Sequence, residues 1–442
     1  MPALRAAADL DFGELSRLIS PRTGIIRNVS RISRGIQEPN PPVICQATLS
    51  HFDFRTAKAL ERTVAGKGET EHEATMGAIG EALERYCASQ FGPNSFMRAT
   101  AAGLGDQAIQ PEEFVLYSAR QYKDDTFRYQ RPDAHQTIAW TQARELSEGR
   151  PVWVPASLVY LSYAGERGAE LFTPPTSNGL AAGKDIASAV LGSLLELIER
   201  DAFLIVWMNR LPVPRVDCSA IGGVARRIQS HYAHFGIEAL VFDITTDIGV
   251  PAMMAIAVDK SGSGPAAVVG LGCHLDPAVA VKKALEVCQV RPSEALKFVK
   301  EPPQQRLHEY RDIRTLEDHA GFAAIPANLS EFGFLLDHTR IARLQDLENQ
   351  STGNAGQDLS RCVALLRGAG SRVAYVELTS PDVEPFGFRV VRGIATGLQP
   401  MHFGFGEERL GGKRLFEAPV RMGYAASARS EADLNPCPHP LA

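Results

Sequence analysis

The sequence predicts an α+β fold in one large, internally duplicated domain, with antiparallel or mixed sheets and long helices. Three observations carry this. Ala74-Thr-Met-Gly77-Ala-Ile-Gly-Glu81-Ala-Leu-Glu84-Arg85 and Ala189-Val-Leu-Gly192-Ser-Leu-Leu-Glu196-Leu-Ile-Glu199-Arg200 share Ala, Gly, Glu, Glu and Arg at one constant separation (81 to 196, 84 to 199). Glu238–Thr245 and Ala252–Asp259 are apolar runs of strand length joined by a turn through Asp247-Ile-Gly-Val. No long Pro, Gly or Ser tract and no charge block divides the 442 residues.

Residues 1–60 mix short strand-like and loop stretches and are expected to pack on a main domain of residues 61–442. Ser20-Pro-Arg-Thr-Gly24 has turn residues, and Gly24-Ile-Ile-Arg-Asn-Val29 has strand composition. Val64-Ala-Gly66-Lys67-Gly68 predicts a glycine-flanked lysine loop. It leads through Glu69-Thr70-Glu71-His72-Glu73 into the first duplicated helix, where acidic first-turn residues suit the helix dipole. Residues 100–172 predict a peripheral stretch with strands at Pro151–Pro155 and Leu158–Tyr163. Thr176–Gly183 leads into the second duplicated helix. Ala267–His274 predicts a strand ending in glycines, and Ala278–Lys300 a third long helix. Asn349–Gln357 is the most loop-like internal segment, and Arg372–Leu378 and Phe388–Ile394 are late strands. Periodicity is lost from Ala418, and residues 418–442 form a tail closing in Pro436-Cys-Pro438-His-Pro440-Leu-Ala442.

Bulk properties exclude several classes. The net charge of −5, with both signs interspersed, gives no electrostatic footprint for nucleic acid or an anionic membrane. The first residues are acidic and lack an apolar core, unlike a signal peptide. The most apolar helical stretch, Leu191–Trp207, carries Glu196, Glu199, Arg200 and Asp201, so no membrane-spanning helix is expected. The 7 cysteines are odd in number, widely spaced and lack a C-x-x-C pair. They predict reduced thiols in the cytoplasm, with neither zinc nor a disulfide framework.

The chemistry starts from electrostatics. Residues three and four apart share a helix face, so Gly77, Glu81 and Glu84 form one stripe, and Gly192, Glu196 and Glu199 another. One such stripe is ordinarily a solvated face with an i,i+4 Glu–Arg pair, worth about a few tenths of a kcal/mol. The second copy sits in a helix apolar nearly all round, which is the mark of burial. Buried carboxylates need partners, and four gathered in one place need cations. Hard divalent ions such as Mg²⁺ meet that need and commonly bring phosphates.

Other groups are weaker signals alone. Lys67 in its glycine loop is a turn lysine or a phosphate contact; the loop is not a Walker motif. Ser177-Asn178-Gly179 is a helix lead-in or an active-site loop. Glu286 and Gln289 share a face of the third helix. Arg291 points away from Gln289 unless the helix ends near Pro292. His274 is a candidate acid or base, with a satisfied structural histidine as the alternative. The alternating prolines enforce an extended conformation at low entropic cost, or mark a frayed end.

Together these motifs resemble the YcaO superfamily over most of the chain, from about Arg22 to the C-terminus. The resemblance rests, in order, on Gly66-Lys67-Gly68, Glu81-x-x-Glu84-Arg85, Ser177-Asn178-Gly179, Glu196-x-x-Glu199-Arg200 and Glu286-x-x-Gln289-x-Arg291. Gly397-Leu-Gln-Pro400 and Leu410-Gly-Gly also look familial. The resemblance implies a YcaO-type fold around a central ATP and Mg²⁺ site. Glu81, Glu84, Glu196 and Glu199 become metal ligands or their close support. Lys67, Ser177, Asn178, Arg200, Glu286, Gln289 and Arg291 join them as nucleotide contacts. Gly77 and Gly192 stand where the family often has serine.

Azoline-forming members resemble this chain in ending Pro-x-Pro-x-Pro, a tail that runs into the active site. Pro436, Pro438, Pro440 and the terminal Ala442 are thereby implicated in catalysis, although Leu441-Ala442 extend past the last proline. The resemblance implies an ATP-dependent cyclodehydratase that turns Cys, and Ser or Thr, of a ribosomally made precursor peptide into azolines by phosphorylating the backbone amide oxygen. Thioamide formation and a non-catalytic ATP-binding scaffold are the alternatives. The catalytic motifs begin early, which implies a partner protein for leader recognition, of ubiquitin-activating-enzyme-like type. A flavin dehydrogenase and an oligomeric complex are further expectations.

Overall fold

The computed structural model describes residues 15, 17–33, 42–50, 63–92, 95–163, 170–219, 223–262, 265–287 and 307–441. Its first layer is an antiparallel sheet of β1 (Ile26–Arg31), β2 (Val43–Leu49) and β3 (Thr63–Gly68), covered by helix α1 (Glu71–Cys87). A second sheet has the order β4 (Met97–Thr100), β5 (Thr137–Glu145), β13 (Val373–Glu377), β14 (Arg389–Ala395), β7 (Leu180–Gly183), with β6 (Pro151–Pro155) paired to β5. Helix α2 (Ile186–Met208) follows β7 and contributes more residues to the largest apolar core than any other element. The third sheet runs β11 (Ala267–Cys273), β10 (Ala252–Asp259), β9 (Ile237–Asp243), β8 (Arg215–Asp217), β12 (Ile341–Arg343), parallel only between β8 and β12. Helices α3 (Gly223–His234) and α4 (Pro277–Val287) complete this layer, and every residue of β10 is buried. Later helices are α5 (Leu316–Ala323), α6 (Ala355–Gly368) and α7 (Arg414–Arg421).

The expected α+β fold with antiparallel and mixed sheets is the observed one, and β9 and β10 pair as the turn between them implied. Three expectations change. Gly66-Lys67-Gly68 is not a loop; it ends strand β3, bonded to Val43–Cys45 of β2. Its glycines serve packing: a Cβ on Gly66 would lie 2.1 Å from both Ala74 O and Ala78 N of α1. Leu158–Tyr163 forms no strand, because a short 3-10 turn at Ala156–Leu158 ends the extended run. The start of the tail, Ala418–Arg421, is helical; Pro419 lies in its second turn and frees Leu415 O, which accepts from Asn209 Nδ2 (3.0 Å) instead. Of the third long helix, Pro277–Val287 is described; its remainder, with Gln289 and Arg291, lies outside the described residues.

The duplication goes deeper than the helices. Thr70 caps α1 by accepting from Glu73 N, and Asp185 caps α2 from Ser188 N, at the separation that relates Glu81 to Glu196. Gly68 and Gly183 stand in the preceding strands at that same separation, each seated against the helix nitrogen six residues on, Ala74 N and Ala189 N. A third copy exists. Gly272 of β11 would place a Cβ 2.1 Å from Ala280 O and 2.5 Å from Ala284 N, in the register that links Gly66 to Ala74 O and Ala78 N. Asp276 Oδ1 accepts from Ala278 N just before α4, matching Thr70 in position. Three strand–helix units thus share one register, with glycine at the close approach in the first and third at Gly66 and Gly272, where the second has Ala181, and in the first and second at Gly68 and Gly183, where the third has His274.

Gly66→Ala and Gly272→Ala are therefore each expected to lower stability by about 2–3 kcal/mol in urea titrations, the cost of overpacking a rigid contact. Gly80→Ala, whose Cβ would meet only Ala182 Cβ at 3.8 Å, serves as the control and should be neutral or stabilising.

Candidate active site

A cavity of about 560 Å³ opens where the three units meet. α1 contributes Gly77, Gly80, Glu81, Glu84 and Arg85; α2 contributes Glu196, Glu199 and Arg200; α4 contributes Lys283 and Glu286. β3 supplies Ala65, Gly66 and Lys67, and Thr176, Ser177 and Asn178 close one wall. The sequence-predicted residues Lys67, Glu81, Glu84, Ser177, Asn178, Glu196, Glu199, Arg200 and Glu286 all line this one space. His274 does not line it. Its Nδ1 accepts from Asp276 N (2.9 Å) at the start of α4, and burial lowers its pKa to about 4. The ring is a neutral structural acceptor, which is the bland alternative for this residue. Gln289, Arg291 and Ala442 lie outside the described residues.

The carboxylates are held by main chain as well as by arginine. Glu84 Oε1 accepts from Ala182 N of β7 at 2.7 Å, and Glu196 Oε2 accepts from Gly179 N at 3.1 Å. Arg85 lies 3.5 Å from Glu81, and Arg200 lies 3.7 Å from both Glu196 and Glu199. Lys282 links Glu69 (2.8 Å) to Glu286 (3.6 Å). Burial and the neighbouring Glu81 push the Glu84 carboxyl well above its usual range. Burial also raises Glu196 and Glu286, against the opposing charges of Arg200 and Lys282 respectively.

The loop carrying Ser177 and Asn178 is fixed from beneath. Arg392 of β14 is buried and donates to the carbonyls of Val159, Thr176 and Asn178. Gly179 takes a positive φ of 81°, and Ser193 Oγ donates to its carbonyl at 2.7 Å while accepting from Gly393 N at 2.8 Å. These supports come from isolated residues of a late strand and a helix, with no local motif to reveal them. Lys283 is different. It occupies the position in α4 that Gly77 and Gly192 hold in α1 and α2, so aligning the third unit would have found it. That alignment also brings Arg291 into line with Arg85 and Arg200 in sequence.

The chain's end reaches the far side of the cavity. Leu441 lines it beside Leu316, Met401 and Phe403. Cys437 to Leu441 are buried, whereas Pro436 is exposed. Asn435 N donates to Met208 O (2.7 Å), and Trp207 Nε1 donates to Cys437 O (3.0 Å), both at the end of α2. Gly404 N donates to His319 Nε2 (3.0 Å), so His319 Nδ1 carries the proton and donates to His439 O (2.5 Å). The His319 and His439 rings stack at 4.1 Å, and His439 Nε2 donates to His402 O (2.7 Å). Burial lowers His319 to about 4 and His402 to about 3, and holds His439 well below the usual histidine range, so this cluster is neutral at pH 7.

The residues suit a nucleotide with a hard divalent cation. The donors are oxygens, as Mg²⁺ requires. Among the described residues, Asn178 Oδ1 is buried without a hydrogen-bond partner and can accept from a ligand. Those residues contain no ready cage of three or more metal-ligating His, Cys, Asp or Glu. The carboxylates are spread around a cavity large enough for phosphates to supply the missing oxygens.

Comparison with known proteins agrees. The YcaO cyclodehydratase family, described as ATP- and Mg²⁺-binding, matches residues 65–399, and this chain belongs to it. An uncharacterised protein of Methanothermobacter thermautotrophicus is 30% identical over 354 residues, 78% of this chain and 84% of the relative. A heterocyclase solved with substrate and cofactor superposes with a TM-score of 0.81 at 29% identity, covering 97% of this chain and 56% of its own. The heterocyclase TruD superposes at 0.67 with 28% identity, covering 82% and 50%. The chain therefore spans about half the length of these heterocyclases. Among the described residues no helix is long and apolar enough to cross a membrane.

Removing one carboxylate tests the electrostatics. A raised folded-state pKa means that the folded form holds more protons than the unfolded one. Stability from Glu84 is thus lost as pH rises from about 4.3 through its folded pKa. Without Mg²⁺, the melting temperature of Glu84→Gln relative to the native chain should rise with pH across that window. A difference that stays flat from pH 4 to 8 would show that Glu84 is not destabilised when charged.

Proposed function

We propose that this protein is an ATP-dependent cyclodehydratase that converts Cys, and Ser or Thr, residues of a ribosomally made peptide to azolines. The observation that supports the reading is the buried tail from Cys437 to Leu441, whose Leu441 lines the carboxylate-bearing cavity. In this reaction the substrate side chain adds to the preceding amide carbon. The amide oxygen becomes a tetrahedral alkoxide and takes the terminal phosphoryl group of the substrate ATP. Phosphate then departs with that oxygen, and loss of the N–H proton leaves the C=N bond of the ring. Oxide is a very poor leaving group, whereas phosphate is a good one.

The chain's contribution is position and charge. Glu81, Glu84, Glu196 and Glu199 would hold Mg²⁺, which supplies charge neutralisation on the phosphates. Lys67, Arg85, Arg200 and Lys283, on the same wall, would neutralise the transferred group. Ser177 and Asn178 sit on a loop that Arg392 fixes, so they are set before the nucleotide arrives. Gln289 and Arg291 would complete the nucleotide set. Pro436, Pro438 and Pro440 would hold the tail extended, and Ala442 keeps the catalytic role that the family resemblance gives it. Partners of the leader-binding, ubiquitin-activating-enzyme-like type, and a flavin dehydrogenase acting on azolines, fit this role. A cytoplasmic location accords with six described cysteines, all buried and unbridged.

Mass spectrometry of the precursor tests the reaction. Each ring should remove about 18 Da and consume ATP, because the peptide loses the amide oxygen to phosphate together with its side-chain and amide protons, the mass of one water. A gain of about 16 Da would mean oxygen exchanged for sulfur, the thioamide outcome, and ATP binding without any mass change would mean a scaffold. Deleting Pro436–Ala442 should abolish cyclisation and leave ATP affinity within about twofold. Unchanged cyclisation would remove the tail from the mechanism. Glu199→Gln should weaken Mg²⁺-ATP binding by about tenfold or more, about 1.4 kcal/mol, as measured by calorimetry.

A further inference from the structure

Behind the loop of Ser177 and Asn178 lies a second, smaller chamber of about 90 Å³. It shares Thr176 and Asn178 with the large cavity, so the two spaces meet at one wall. Four of the residues that line it each carry a buried atom without a hydrogen-bond partner among the described residues: Ser157 Oγ, Asn178 Oδ1, Gln399 Oε1 and Arg409 Nε. Such groups are rare in folded proteins, and four around one space mark a place where something polar binds.

Their orientation is set by the fold. Gln399 is 1% exposed; its main-chain N donates to Asp201 Oδ1 (2.8 Å) and its Nε2 donates to Arg409 O (2.9 Å). Those bonds fix the amide and leave Oε1 free to accept. Asp201 is in turn held by Arg414 Nε at 2.9 Å. Gln399 belongs to the Gly397–Pro400 run singled out in the sequence, which the nucleotide site does not use. The other walls are apolar: Leu158, Tyr160, Leu197, Ile394 and Leu398. No carboxylate lines the chamber, and Arg392 already serves three carbonyls.

Size and chemistry select the occupant. A cavity of about 150 Å³ is needed to take up benzene, so 90 Å³ excludes a nucleobase. It suits one aliphatic side chain. Two acceptors, one donor and one hydroxyl match the N–H and C=O of a peptide group. We propose that the chamber is a recognition subsite for one residue of the peptide substrate, next to the modified amide, with an aliphatic side chain against its apolar walls. This rests on the peptide-modifying reading above.

The probes are synthetic peptides acetyl-Gly-Xaa-Cys-Gly-amide with Xaa as Gly, Val, Leu or Asp. They are titrated into the full chain with Mg²⁺ and a non-hydrolysable ATP analogue. Val and Leu should bind about tenfold tighter than Gly or Asp, the discrimination that one or two buried methylenes give. Ala395→Leu, which fills the chamber, and Gln399→Met, which removes its acceptor, should each abolish that preference and leave ATP affinity unchanged. Equal affinities, no measurable peptide binding, a preference for Asp, or a preference that survives Ala395→Leu would each overturn the assignment. A clear Val and Leu preference, with no loss of about 18 Da once hydrolysable ATP replaces the analogue, would instead overturn the cyclisation reading and leave the chamber standing.

Discussion

Two hydrogen bonds hold the centre of this protein together. Glu84 of α1 accepts from Ala182 N, and Glu196 of α2 accepts from Gly179 N. Both nitrogens belong to the short run that leads into and forms β7. On one side β7 pairs with β14; on the other it faces α1, whose carboxylate takes the place of a further strand at Ala182. Hydrogen bonds of this kind are worth about 1 kcal/mol each, and more when the carboxylate is ionised. They bind the two duplicated helices to one piece of backbone, so the cavity walls cannot separate without breaking the sheet edge. The same arrangement brings like charges together. Burial and mutual repulsion raise Glu84, and the arginines Arg85 and Arg200 offset only part of the negative charge. A cation is the physical completion of such a site.

The threefold strand–helix scheme explains how this cavity is built. In each unit a strand glycine lets the following helix settle against the strand, and a capping oxygen starts that helix at a fixed offset. Position along the helix then determines what faces the centre. Gly77 leaves space, whereas Lys283 at the corresponding place in α4 fills it with positive charge; Gly192 packs towards Ala181. Two acidic helices and one partly basic one thus converge on a single space. That division suits a ligand whose metal and phosphates carry opposite charges.

Much of this was legible in the sequence. The i,i+3 spacing of Glu81 with Glu84 and of Glu196 with Glu199 placed them on shared faces, and the apolar surround of Glu196 indicated burial. Other parts were not legible, for physical reasons. Gly66-Lys67-Gly68 looks like a loop because two glycines lower strand propensity; the pull towards strand comes from tertiary packing on Ala74 and Ala78. The third unit lacks the Glu-x-x-Glu signature, and its kinship rests on Gly272, Asp276 and Ala280, residues too common to register alone. Arg392 gives no warning either, since an arginine in an apolar strand shows its role only when three carbonyls are found around it. The histidine cluster joins residues from three distant segments at His319, His402 and His439.

The tail shows why such long-range contacts matter. Alternating prolines confine the chain to extended geometry, but they give it no fixed position. Position comes from bonds to the carbonyls of Cys437 and His439, made by Trp207 and His319, and from the bond of Asn435 N to Met208 O. Because the tail's main chain is what these groups hold, the holding depends little on the tail's side chains. His439 and Asn435 are the exceptions: the His439 ring stacks on His319 and donates to His402 O, and Asn435 Nδ2 donates to Trp207 O (3.2 Å). Those donor and acceptor roles require neutral rings, and burial secures them by disfavouring the charged forms. Protonating His319 at Nε2 would set two N–H groups, that of Gly404 and its own, against each other. The contact that delivers Leu441 to the cavity is therefore tied to the neutral state of this imidazole.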